Sequence, residues 1–283
     1  MIFDNRACEL GEGPLWHPLR QQLYWFDILG NRMLTRTDDK AQEWALSERV
    51  SAAGWISRDE LLIASETALF RFNLETGTRH DVVALEADKP HTRSNDGRAD
   101  PQGGFWISTM GKKADKGAGA IWRFYKGQLR RLYDGISIPN SIAFAPGGRI
   151  AQFSDSAARK VMRVGLDAEG WPSGQPSVFL DLGGGKPEPD GAVIDADGIL
   201  WLAEWGAGRV AAYAPDATFV RAIPFDAPHT SCPAFGGPDL TTLYCTTARE
   251  HLDAATLAGH PRSGMTFTAA NVAKGQAENQ VIL

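Results

Sequence analysis

Cysteines and long apolar runs are scarce in this sequence. There are 3 cysteines among 283 residues, odd in number and scattered, so neither a disulfide framework nor a CxxC metal site is predicted. No apolar run approaches the roughly 18 residues expected of a membrane-spanning helix, and the first ten residues lack the apolar stretch of a signal peptide. The sequence therefore predicts a cytoplasmic protein with no membrane partner.

The charge pattern and the histidines exclude further classes of protein. The net charge is −5, with acidic and basic residues mixed along the chain and no basic stripe, so nucleic acid is not an expected partner. The 6 histidines form no HxH or HExxH pair, which argues against a histidine-rich zinc site.

The segments that are abundant predict strands. Short stretches rich in Trp, Phe, Tyr, Ile and Val alternate with turns that contain glycine or proline, and no long helical period is present. The order strand, tight turn, strand, turn, strand occurs six times, and the units begin 40 to 50 residues apart. Such a period is typical of β-propeller blades. The first residues of the six units are Glu12, Ala52, Asn95, Asn140, Asp190 and Cys232.

This repeat predicts an all-β fold, a six-bladed β-propeller with four-stranded antiparallel blades, formed as a single domain by residues 1–283. Five units contain a fourth strand-like segment. In the last unit, residues 2–3 or residues 281–282 are expected to supply that strand and close the ring. The alternative, a two-sheet sandwich, requires the six in-register units to be a coincidence.

Equivalent positions of a propeller lie at the same height around its axis, so the six first residues should face one another at one mouth of the channel. Four of them carry side-chain oxygen: Glu12, Asn95, Asn140 and Asp190. Two carboxylates in a narrow channel repel each other and lose hydration, and a bound cation would remove that cost. Oxygen donors suit calcium, magnesium or manganese, and zinc also accepts them. Taken alone, Asn140 or Asp190 could instead cap a turn, and Glu12 could be a solvent-facing loop residue.

Several short motifs, in order along nearly the whole chain, resemble one known family. They are Gly11–Trp16, Arg93–Gly97 with Asp100–Pro101, Pro139–Ser141, Pro189–Gly191 with Asp195 and Gly198, Trp201, Gly208–Val210 and Phe235–Gly237. The chain is similar to the senescence-marker-protein/gluconolactonase/luciferin-regenerating enzyme family, which includes regucalcin and bacterial sugar lactonases.

The resemblance implies one divalent metal, calcium or zinc, with magnesium or manganese as alternatives. It assigns Glu12, Asn140 and Asp190 as metal ligands, and Arg93 and Asn95 as substrate contacts. The family has a further acidic substrate contact in the loop before Ala120. The nearest acid here is Asp115, but the adjacent lysines, which are Lys112, Lys113 and Lys116, depart from the regucalcin pattern.

The expected function is therefore metal-dependent hydrolysis of a small sugar lactone, a gluconolactonase-like reaction. Asp190 is the expected catalytic residue, as a metal ligand that also accepts a proton from the attacking water. The alternatives are a metal-dependent esterase or phosphotriesterase on the same fold, and a non-catalytic calcium-binding propeller. The sequence leaves the particular lactone, the metal and the oligomeric state open. Three tryptophans are weighed as stacking surfaces for a sugar: Trp55, Trp106 and Trp205.

Overall fold

The computed structural model describes residues 1–37, 40–185 and 187–283, and almost all regular structure in these ranges is β. A short helix, α1 (Ala254–Gly259), lies just before the last strand. The strands are β1 (Ile2–Asp4), β2 (Gly11–His17), β3 (Gln22–Asp27), β4 (Arg32–Arg36), β5 (Ala41–Ala45), β6 (Val50–Trp55), β7 (Glu60–Ser65), β8 (Ala68–Asn73), β9 (Arg79–Ala84), β10 (Thr92–Ala99), β11 (Phe105–Gly111), β12 (Gly119–Tyr125), β13 (Gln128–Ile136), β14 (Pro139–Phe144), β15 (Ile150–Asp155), β16 (Lys160–Leu166), β17 (Pro172–Asp181), β18 (Glu188–Ile194), β19 (Leu200–Trp205), β20 (Arg209–Tyr213), β21 (Phe219–Pro224), β22 (Thr230–Gly236), β23 (Thr242–Thr247) and β24 (Thr266–Ala269).

Within the described ranges these strands form six antiparallel sheets of four strands each. Five sheets are consecutive in the chain: β2–β5, β6–β9, β10–β13, β14–β17 and β18–β21. The first strands of the sheets contact one another in a closed cycle, so they surround a central axis. The predicted six-bladed propeller is confirmed.

The sixth sheet closes the ring with strands from both ends of the chain. It consists of β22, β23 and β24, and β1 pairs with β24 so that Ile2 lies opposite Phe267. Of the two closing strands predicted from the sequence, residues 2–3 are therefore the correct one. This pairing joins the first and last blades and covers a sheet edge that would otherwise expose unpaired backbone groups.

The core lies between adjacent sheets, where apolar side chains from one strand face pack against the next blade. Trp25, Trp106 and Trp201 are among the largest fully buried side chains. Trp106 contacts Phe144 of the neighbouring blade edge-to-face at 5.4 Å between ring centroids. It is therefore a core residue and not a surface for sugar stacking. Such close-packed interfaces make the propeller a rigid support for side chains at the axis.

The C-terminal segment crosses the channel mouth at the far ends of the innermost strands. The Gln276 amide donates hydrogen bonds to the carbonyl oxygens of Phe144 and Ile194, and Val281 donates through its backbone N–H to Trp55. The Trp55 indole in turn donates to the Glu278 carbonyl at 2.9 Å. This mouth is thus covered, and Trp55 belongs to it.

Two further features of the structure concern the cysteines and the helices. Cys8, Cys232 and Cys245 are all free and buried, as expected without a disulfide framework. In the part of the chain that the structure describes, no helix has the length and apolar character needed to cross a membrane.

Candidate metal centre and its pocket

The first residues of the six repeat units are the ring residues: Glu12, Ala52, Asn95, Asn140, Asp190 and Cys232. Each of them lies on the innermost strand of its blade, the strand nearest the axis, and each innermost strand has a register irregularity at or beside its ring residue. In β2 the shift lies between Glu12 and Leu15, in β14 between Asn140 and Ala143, and the other four innermost strands have one as well. Such bulges re-aim a side chain while the rest of the strand keeps its pairing. Because the sequence repeats, the same local irregularity directs side chains from six blades towards one place.

The backbone after two ring residues is in the left-handed region. Gly13 has φ 55° and Ser141 has φ 58°. For serine this conformation costs energy and persists only when its surroundings hold it. The Ser141 hydroxyl contacts the Ser154 hydroxyl at 2.9 Å and donates to the carbonyl oxygen of Asp190. The strain beside Asn140 is therefore held by a contact with the next blade.

Four of the six ring residues, Glu12, Asn95, Asn140 and Asp190, form the floor of a pocket of about 230 Å³ at the open mouth. Its lining includes the five residues predicted to bind metal or substrate near the axis: Glu12, Arg93, Asn95, Asn140 and Asp190. All five are 4–7% exposed. The structure thus brings these residues together as the sequence predicted, while their roles as ligands and substrate contacts remain predictions.

A hydrogen-bonded chain fixes the orientation of the Asn140 amide. Asn95 Nδ2 donates to Asn140 Oδ1 at 2.9 Å, and Arg93 Nη1 donates to Asn95 Oδ1 at 2.7 Å. On the other side, Asn140 Nδ2 donates to Ser156 Oγ at 2.9 Å. Since a carbonyl oxygen has two lone pairs, Asn140 Oδ1 can accept a bond from Asn95 and still offer a lone pair to another partner.

Without a cation, the charged forms of the two carboxyl groups at the floor are disfavoured. Burial, followed by the neighbouring Asp96 carboxylate, raises the pKa of Glu12 to about 8. Burial, followed by Glu12 and Asp96, raises the pKa of Asp190 well above its ordinary value. Arg93 opposes both shifts, but no lysine or arginine of the described residues forms an ion pair with either carboxylate.

These donors fit a divalent cation. Two buried carboxylates and an oriented amide oxygen are hard oxygen ligands, and a cation would relieve their repulsion. The described residues contain no group of three or more His, Cys, Asp or Glu side chains arranged to hold a metal. The fit therefore depends on the Asn140 amide as the third donor.

Two ring residues, Cys232 and Ala52, are buried and are not part of the pocket lining. Cys232 is 1% exposed, and burial raises the pKa of its thiol well above the ordinary value, which disfavours a thiolate nucleophile. It packs against Gly191, where any β-carbon would overlap the Cys232 side chain. This close approach explains why glycine follows Asp190. Ala52 is fully buried in the core.

Asp115 lies apart from the other predicted substrate contacts. It is exposed in the turn between β11 and β12 and is not part of the pocket lining, which this turn supplies through Lys112, Lys113 and Ala114. Contact between Asp115 and a substrate stays a prediction. Of the tryptophans, Trp205 lines the pocket and stacks on His229 at 4.0 Å between ring centroids.

Glu250 and Ser156 are among the pocket residues that the sequence analysis missed. Glu250 lies between β23 and α1, outside the repeat, where its backbone N–H donates to the Glu9 carbonyl at 2.9 Å. Its charge acts on the pKa of Glu12, Arg93 and Asp190. No repeat position could have indicated it, because the last blade is the least regular.

Ser156 was also missed, and its contacts differ from those of its neighbour Asp155. Asp155 accepts hydrogen bonds from the backbone N–H groups of Ser137 and Ile138, both at 3.1 Å, as a turn cap does. Ser156 is the residue that contacts Asn140, and its hydroxyl donates to the Pro189 carbonyl at 2.6 Å. A serine after a strand that pairs with β14 was the available signal.

Replacing Ser156 with alanine is expected to weaken metal affinity about 10- to 100-fold while the fold is retained, as loss of a ligand's hydrogen-bond partner typically does. Without this acceptor the Asn140 amide can rotate away from its present orientation. Titration calorimetry with calcium or manganese measures the effect, and Ser173→Ala, at an exposed position of β17, is the control. Equal affinities in the two variants would show that Ser156 does not position the amide.

Known proteins are similar to this chain in sequence, and a solved structure is similar to it in fold. A solved structure of a calcium-binding regucalcin from Agrobacterium tumefaciens superposes with a TM-score of 0.98 at 40% identity, covering 100% of this chain and 97% of that one. An L-arabinolactonase of Azospirillum brasilense is 33% identical, over 98% of this chain and 93% of its own length. A 6-deoxy-6-sulfogluconolactonase of Pseudomonas putida is 31% identical, over 95% and 94%.

The family match covers most of the propeller. Residues 10–249 match the family described as the SMP-30/Gluconolactonase/LRE-like region. This range includes the innermost strand of every blade and every ring residue. The chain therefore belongs to the SMP-30/gluconolactonase/LRE-like family.

Proposed function

We propose that this protein hydrolyses a sugar lactone with the help of one divalent cation. The observation that carries the proposal is the pair of buried carboxylates, Glu12 and Asp190, on the floor of a pocket large enough for a small molecule. The relatives named as lactonases support the reaction type. The cation is calcium or zinc, with magnesium or manganese as alternatives, and the calcium-binding neighbour supports a divalent ion in general.

Glu12, Asn140 and Asp190 would hold the cation through oxygen. When bound there, a divalent ion polarises a lactone carbonyl and lowers the pKa of a water molecule. The chain's own contribution is to keep these donors in place before substrate arrives, since the amide is fixed by Asn95 and Ser156. Such preorganisation avoids rearrangement during the reaction.

Arg93 and Asn95 would orient the substrate. Arg93 is 7% exposed and lines the pocket, and of its nitrogens Nη1 is bonded to Asn95 and to the Ser94 carbonyl. Its other N–H groups can donate to ring oxygens or hydroxyl groups of a sugar. Holding these groups places the lactone carbonyl over the carboxylates and reduces the entropy cost of reaction.

Asp190 would accept the proton of the attacking water. A carboxylate has two oxygens with several lone pairs, so Asp190 could accept this proton and also be one of the residues that would hold the cation. The water oxygen bonds to the carbonyl carbon, the bond between that carbon and the ring oxygen breaks, and the released ring oxygen takes up the proton that Asp190 accepted. The product is the open-chain hydroxy acid.

A substrate panel tests the reaction class. Purified protein with added divalent cation is expected to release acid from aldonolactones in a pH-stat assay and to leave paraoxon-like phosphotriesters and simple aryl esters almost unchanged. Comparable or faster turnover of the phosphotriester would favour the second enzyme class. Cation binding without turnover of any of these compounds would favour the non-catalytic propeller.

A further inference from the structure

The turn between β11 and β12 brings positive charge to the rim of the pocket. Lys112 and Lys113 both line the pocket, whereas Lys116 of the same turn does not. Asp115, the one acid of this turn, is outside the lining as well. A substrate bound over the two carboxylates would therefore have Lys112 and Lys113 near the part of it that faces this turn.

Most charges around the rim already have partners. Two charged residues of the lining, Lys112 and Glu188, are in ion pairs. Lys112 Nζ lies 2.6 Å from a carboxylate oxygen of Glu66, and a carboxylate oxygen of Glu188 lies 3.1 Å from a guanidinium nitrogen of Arg159. Glu250 also lines the pocket, and among the acids it has the largest effect on the pKa of Arg93. Among the described residues, Lys113 has no carboxylate within ion-pair distance.

The charge balance of the pocket then favours an anion at the rim. On the proposed function, the cation neutralises Glu12 and Asp190, and Glu250 opposes Arg93. Lys113 is left as a cation without a partner at the exposed edge, away from the carbonyl that reacts on the floor. An unpaired ammonium at a pocket rim attracts negatively charged ligands and raises their rate of binding.

We infer that the substrate is a lactone that carries an anionic group, such as a carboxylate, sulfonate or phosphate, at the end remote from its carbonyl, and that Lys113 binds this group. The inference rests on the proposed function and names the substrate class for the same pocket. Lys113 is a specificity residue in this scheme, because it contacts the substituent and not the reacting atoms.

The test compares D-glucono-1,5-lactone with analogues that carry a phosphate, a sulfonate or a carboxylate at carbon 6. The wild-type protein is expected to have a higher kcat/KM for at least one charged analogue, and the three arms show which anion it prefers. Lys113→Gln should reduce this preference about two- to fivefold, the range of an exposed charge pair. Raising the salt to about 1 M, where the Debye length is roughly 3 Å, should reduce it as well.

Two matched variants separate charge from structure. Lys116→Gln removes the same charge from the same turn outside the pocket and should leave the preference unchanged, while Lys113→Arg should retain it. If the wild type favours the neutral lactone, or if Lys113→Gln leaves the preference as it was, the inference is wrong and the lactonase proposal stands. If no lactone is hydrolysed, the proposed function fails and this inference fails with it.

Discussion

Replacing Asp190 with asparagine is expected to lower turnover of the lactone by about 10³-fold and to leave the fold intact. On the proposed function, the variant removes one of two carboxylate ligands and the acceptor of the water proton, and general base catalysis alone typically contributes 10²–10⁴-fold. The fold should survive because burial raises the pKa of Asp190 well above its ordinary value, so a neutral side chain suits this position in the cation-free protein. A pH-stat assay measures turnover, and circular dichroism checks the fold.

Asp197→Asn is the control for this variant. It removes an equal charge from an exposed turn of the same blade and should leave turnover within about twofold, as surface substitutions generally do. Asn140→Ala should lose metal affinity and turnover together. Full turnover in both Asp190→Asn and Asn140→Ala would show that the catalytic centre lies elsewhere.

Removing the cation with a chelator is expected to stop turnover and to lower the melting temperature, and the loss of stability should grow as the pH rises from about 5 to 8. In the cation-free protein the pKa of Glu12 is about 8, above its ordinary value of 4.5, because of burial and the nearby Asp96 carboxylate. Between these values the folded state binds more protons than the unfolded state, so the free energy of unfolding falls as the pH increases.

Added cation should reverse this loss, with an effect that increases with pH because the carboxylates must lose their protons to bind it. At a cation concentration 100 times Kd the gain is about 2.7 kcal/mol. Thermal denaturation across the pH range measures it.

Glu12→Gln is expected to be more stable than wild type without cation at pH 8 and to respond only weakly to added cation. An equal response in wild type and Glu12→Gln would contradict the ligand assignment.

The fold could be predicted because a propeller repeats its unit in the sequence. Six strand-and-turn units that begin 40 to 50 residues apart indicated six blades, and residues 2–3 or residues 281–282 were expected to close the last one. The choice between residues 2–3 and residues 281–282 could not be made from sequence, because both are short apolar pairs at the chain ends. The structure pairs Ile2 with Phe267 and places Val281 against Trp55 at the covered mouth.

The floor of the site could be predicted for the same reason, and its walls could not. Glu12, Asn140 and Asp190 occupy equivalent repeat positions, so symmetry brings them together. Glu250, Lys113 and Trp205 reach the pocket from segments between strands or at strand ends. The length and path of those segments follow no repeat. The substrate's identity depends on these walls, which is why sequence alone left the particular lactone open.

The most direct test of the central claim is a crystal structure of protein soaked in manganese, with anomalous scattering recorded to locate the ion. The account predicts one strong peak at the pocket floor, within bonding distance of oxygen atoms from Glu12, Asn140 and Asp190. A peak at another place only, or none among these three side chains at saturating manganese, would contradict it.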